Sequence, residues 1–228
     1  MSDHREPSPL NAIPPVIVVI ALAILIIECI FQMGARGMVG GPQAVGWRLS
    51  AIQEYGFSNR AMAWMIENTT VRGDFMIRFV SYPFVHASFI HAAFAVVMTL
   101  ALGKFVAERM AQWAVVILFF ASAALGAGVY GLLFPDGPGL YGAYPAVYGL
   151  IGGFTYLMWL RLGQMGERQV RAFTLIGFLL AIQLVFGLMY GAGSGWVADV
   201  SGFVVGFALS FVLAPGGFRK ILERLRQS

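Results

Sequence analysis

Charge is scarce in this chain and cysteine almost absent. Charged residues make up 11% of it, against about 25% in a soluble globular domain, which leaves too few to cover a water-facing surface. The single cysteine, Cys29, lies inside an apolar run, so there is no disulfide framework and no zinc-type spacing, and the redox compartment stays open. No internal repeat or low-complexity tract occurs. The basic balance, net +4 with a pI near 9.5, comes without a stripe of cations and interleaved aromatics, so nucleic acid is not an expected partner. No cofactor and no metal are expected either.

What the chain does have is long apolar runs. Apolar residues reach 59%, above the roughly 45–50% usual for soluble domains. A bilayer core of about 30 Å takes about 20 mostly apolar residues per helix, and six such stretches follow one another, near 14–33, 84–106, 113–134, 143–161, 171–190 and 196–214. The expected fold is all-α, a six-span polytopic membrane bundle over 14–214, with a polar segment 1–13 before it and a basic tail 215–228 after it. The first run, at Ile17–Phe31, is longer than a secretory h-region and shows no small-residue cleavage site, so a retained span is expected.

The distribution of cations sets an expected orientation. With six alternating spans, ten of the fifteen fall on one side (Arg5, Lys104, Arg109, Arg161, Arg168, Arg171 and four in the tail), and the short opposite loops near 135–142 and 191–195 have none. Cytoplasmic ends follow from the positive-inside rule. The remaining five, including Arg48 and Arg78, lie in the long loop 34–83, where charge has little influence on translocation. That loop suits short amphipathic helices at headgroup depth, with Trp47 and Trp64 as interfacial anchors; an ordinary soluble connector is the alternative. Six spans and a short basic tail suit a bacterial inner membrane, whose lipid is the first expected partner.

Polar side chains inside the spans are costly, about 2.5–3.5 kcal/mol for an acid at a helix centre on insertion scales, so each calls for a cavity or a partner. The candidates are Glu28, His86, His91, Tyr144, Gln183 and Asp199. Glu28 can snorkel from the end of the first span and Gln183 can bridge helices. The other four fall in patterned contexts: Arg78 and then His86 and His91 with Ala95 four residues on, Gly142-Ala-Tyr144-Pro145-Ala-Val-Tyr-Gly149, and Asp199-Val-Ser-Gly202-Phe-Val-Val-Gly206. Over roughly residues 78–214 this order and spacing resembles the rhomboid family of intramembrane serine proteases.

The resemblance implies a role for each position. The family's loop-ending Trp-Arg pair corresponds to Ile77-Arg78, and Glu108-Arg109 to the turn after the second span. Its histidine, second histidine and asparagine, a series whose later polar groups help hold the oxyanion, correspond to His86, His91 and Ala95. Its nucleophilic serine corresponds to Tyr144, with Gly142 retained and Pro145 in place of a glycine. Its histidine base corresponds to Asp199, followed by the small-residue packing of Gly202 and Gly206. Nucleophile, base and oxyanion asparagine are all replaced.

Chemistry weighs that loss. A serine attacks only when an imidazole takes its proton and donors meet the oxyanion. A phenol, with an ordinary pKa near 10, is a weak nucleophile at neutral pH, and its ring displaces the reacting oxygen. Removing the nucleophile of a soluble serine protease costs about a million-fold in turnover. Pro145 makes a sound helix start and crowds the old cleft further.

Ser88 sits between the two histidines, Ser201 points to a different face from Asp199 and Ser122 has no adjacent base, so a relocated serine is not expected; an aspartyl mechanism has only the remote Glu28 as a second carboxylate. His86, His91 and Asp199 form a conceivable metal set, yet five residues turn two side chains about 140° apart on one helix. The expected arrangement is a polar network, Asp199 accepting from His91 or the Tyr144 hydroxyl and tying the second, fourth and sixth helices. Gly149, Gly152 and Gly153 on the fourth span, with Gly126, Gly128 and Gly131 on the third, permit close packing. The function expected is a non-catalytic relative that binds or chaperones transmembrane segments. The alternatives are an active endopeptidase of transmembrane substrates and a purely structural or lipid-perturbing protein.

Overall fold

A computed structural model describes residues 13–190 and 193–215. Nearly all of the expected terminal segments 1–13 and 215–228 lie outside the described residues. Six long helices follow the expected order: α1 (Pro15–Ala35), α6 (Phe89–Ala107), α7 (Gln112–Leu133), α8 (Tyr144–Gln164), α9 (Thr174–Tyr190) and α10 (Trp196–Leu213). Between α1 and α6 the long loop carries four short ones, α2 (Trp47–Tyr55), α3 (Asn59–Glu67), α4 (Gly73–Met76) and α5 (Arg78–Ser81). Helix starts follow local chemistry. Pro15 opens α1, where a missing N–H costs nothing, and the Ser58 and Ser88 hydroxyls cap α3 and α6 by accepting the Ala61 and His91 N–H groups.

By length and composition alone α1, α6, α7 and α10 can each cross a membrane. The fourth expected span, α8, is less apolar because it meets protein rather than lipid. It is packed against α6, α7 and α10, and Pro145 through Gly153 are all buried. Its tightest seam is with α10. A Cβ on Gly206 would run into the Gly149 carbonyl, one on Gly202 into that of Pro145, and one on Gly152 into that of Phe203. Only glycine lets these two backbones come so close. Helix α1 packs on α6, with Ile17 filling the notch left by Gly103. Helix α9, of 17 residues, packs sparsely and leaves Phe178, Leu184, Val185 and Met189 exposed.

The long loop is docked on the bundle. Phe57 and Leu140 exchange two backbone hydrogen bonds of 2.9 and 3.0 Å, joining it to the α7–α8 connection, and Asn59 Nδ2 donates to the Phe134 carbonyl in the same connection. Arg78 donates to the Gln53 carbonyl at 3.0 Å, so it pins the end of α2. Trp64 is exposed, against Phe75, which suits an interfacial anchor. Trp47 does not: it is half-buried and its ring fills the space over Gly34 and Gly40 at the end of α1.

Candidate functional site

The site is built at the end of the bundle where α8 and α10 begin. Gly142 makes the turn into α8 with φ +91°, and a Cβ there would strike His91; both facts require glycine. Its N–H donates to the Tyr82 carbonyl at 2.9 Å, and Tyr82, fully buried, donates its hydroxyl to Ala123 on α7. The next N–H, of Ala143, donates to His86 Nε2 at 3.2 Å. An imidazole accepting on Nε2 is neutral with its proton on Nδ1, so His86 acts here as a structural acceptor.

The carbonyl of His86 is held in turn. Arg48 Nη1 donates to it at 2.7 Å, and the same guanidinium grips both carboxylate oxygens of Glu28 at 2.7 Å. Gln32 adds a third donor to that carboxylate at 2.9 Å. Glu28 therefore does not snorkel. It is 2% exposed, and its charge is met by a forked cation from the loop. Patterning missed Arg48 because its partner lies 20 residues away; the signal available was the acid itself, which inside a span requires a cation.

Helix α6 begins only at Phe89, so His86 sits in the extended stretch before it. The 140° estimate for one helix does not apply, and the two imidazole centroids are 5.2 Å apart. On its other side His91 stacks flat on Tyr144, centroids 4.9 Å apart and planes within 12°, with Tyr141 edge-on at 6.1 Å. Asp199, 9% exposed, faces the same space from the first turn of α10. Its hydrogen-bond partner among the described residues is neither His91 nor the Tyr144 hydroxyl, as the sequence led us to expect. Gln183 of α9 donates to it from Nε2 at 2.9 Å. The tie thus joins the fifth helix to the sixth, which is the bridging role that patterning assigned to Gln183.

A cleft of about 280 Å³ remains between these groups, walled by His91, Tyr141, Tyr144, Gln183 and Asp199. Ala95 is fully buried in the core of α6. Ser88 is used as a helix cap and Ser122 is buried on α7 behind Gly149; neither they nor Ser201 wall the cleft. Glu108 closes α6 as its C-terminal cap, beside Lys104 and Arg109 at 3.9 and 3.6 Å. A family model described as a Rhomboid domain matches residues 74–216, more than half of the chain. The chain belongs to the rhomboid family. It is a rhomboid-like integral membrane protein, and the matched region takes in α5 to α10 with every wall of the cleft. A search of curated proteins finds no match.

In this rhomboid the cleft offers phenols, an imidazole, an amide and a carboxylate. As arranged, they can stack, accept and donate hydrogen bonds. The Tyr144 ring covers one face of His91, and the carboxylate of Asp199 is turned toward an amide.

Proposed function

We propose that this rhomboid is a pseudoprotease that binds and holds transmembrane segments of other proteins without cutting them. The observation that carries the reading is the flat stack of Tyr144 on His91, at the point where a rhomboid nucleophile would stand, with Asp199 tied to Gln183 rather than to a hydroxyl. A nucleophile needs a base within hydrogen-bond reach; here a phenol ring covers the face of His91 instead. The glycine seam of α8 and α10 supports a retained scaffold. The basic residues of the α6–α7 and α8–α9 turns support cytoplasmic ends, in a membrane such as the bacterial inner membrane.

Cleavage of a single-span reporter in bilayers tests the reading, with an active rhomboid as positive control. Neither the wild type nor Tyr144→Ala nor Tyr144→Ser is expected to cut, because restoring a hydroxyl supplies no imidazole base at position 199. Cleavage by the wild type that Tyr144→Ala abolishes would assign the chemistry to the phenol and end the pseudoprotease reading.

A further inference from the structure

The cleft has an unbalanced chemistry. Asp199 contributes a carboxylate, and no Lys or Arg among the described residues pairs with it, whereas Glu28, Asp74, Glu108 and Glu167 all have cationic neighbours. Its donor among the described residues is a neutral amide. That donation fixes the Gln183 side chain with nitrogen toward Asp199 and oxygen away, and the oxygen, shielded from solvent, accepts no hydrogen bond from the described residues. The Asp199 carboxylate therefore stands at the wall of an open cleft of about 280 Å³ that Gln183 also lines. That is just below the roughly 300–1,000 Å³ of small-molecule pockets and of a size for one long side chain. An acid within a membrane bundle faces a water-filled cavity or a partner, and it marks a functional site by default.

We propose that the Asp199–Gln183 pair is a receptor for a basic side chain, Lys or Arg, on the transmembrane helix of a partner. This rests on the helix-binding function proposed above and names the feature that selects the partner. The incoming cation neutralises Asp199, beside the amide that already donates to it. Depth is specified too. Asp199 is the fourth residue of α10, about 5 Å inside its start at 1.5 Å per residue, so the basic residue belongs within about two turns of one end of the partner's apolar stretch. The exposed apolar face of α9 offers the partner a wall to lie against.

The test uses the intact protein in nanodiscs and Leu/Ala host helices of about 20 apolar residues that carry one Lys at successive depths, with an all-apolar twin. Binding is read by energy transfer from a labelled peptide. The expected result is about tenfold tighter binding than the twin when Lys lies within two turns of one end, and no gain at the centre or the far end. Asp199→Asn should bring the Lys peptide down to the level of the twin, with an unchanged circular-dichroism spectrum and elution volume showing that the variant is folded. Equal binding of every host helix would overturn the basic-residue receptor and leave helix binding standing. A Lys preference that survives Asp199→Asn would overturn it as well. Binding of no helix would take away both proposals.

Discussion

The seam between α8 and α10 and the attachment of α9 are two ways of holding a helix in this bundle. At the seam the backbones meet through Gly149, Gly152, Gly202 and Gly206 with no side chain between them, so the contact is dispersion spread along the helices. Among the described residues, helix α9 is held chiefly at its end toward the Gln169–Phe173 turn, where the Thr174 hydroxyl donates to the Arg171 carbonyl, and by the side-chain hydrogen bond from Gln183 to Asp199. A contact between backbones is all-or-none, because no rotamer relieves a clash. A contact through one amide can be exchanged for another donor at small cost. The rigid part of this rhomboid thus carries the fold, and the loosely held part borders the cleft.

Substitutions should separate the two. Gly206→Leu is expected to have the largest effect: overpacking costs roughly 1–3 kcal/mol where side chains can shift, and here the obstacle is the Gly149 backbone, so no folded protein should be recovered in micelles. Arg48→Ala comes next. It leaves the Glu28 carboxylate buried and unpaired, for which about 3 kcal/mol is expected, read as a lowered midpoint of unfolding in detergent. Glu28→Gln added to it should recover most of the loss. Gln183→Leu should cost least, about 1 kcal/mol, with hydrogen exchange accelerated in α9 and unchanged along α8. Equal protection of α9 and α8 in that variant would erase the contrast drawn here.

Much of this was legible in the chain. Six long helices in order, and the small residues that let the third, fourth and sixth pack, follow from run length and from glycine spacing, which are local properties. So does the turn at Gly142, since glycine there opens α8. The site was read less fully. His86 and His91 could be picked out as polar groups in an apolar stretch, but their meeting depended on where α6 begins, and helix ends are set by caps such as Ser88 that compete with neighbouring choices. Trp47 looked like a membrane anchor because amphipathic rings often are; its packing over Gly34 and Gly40 is a contact between segments.

The sequence by itself determined that this is a helical membrane protein of the rhomboid pattern and that a tyrosine and an aspartate stand where that pattern has its serine and histidine. Those are matters of composition, spacing and residue identity. Only the tertiary structure decided the partners: Arg48 for Glu28, the Ala143 N–H for His86, His91 for the Tyr144 ring, and Gln183 rather than His91 for Asp199. Each pairs residues from different elements, and in a medium with little water a polar group takes whichever donor the packing brings near. Sequence distance holds no record of that choice.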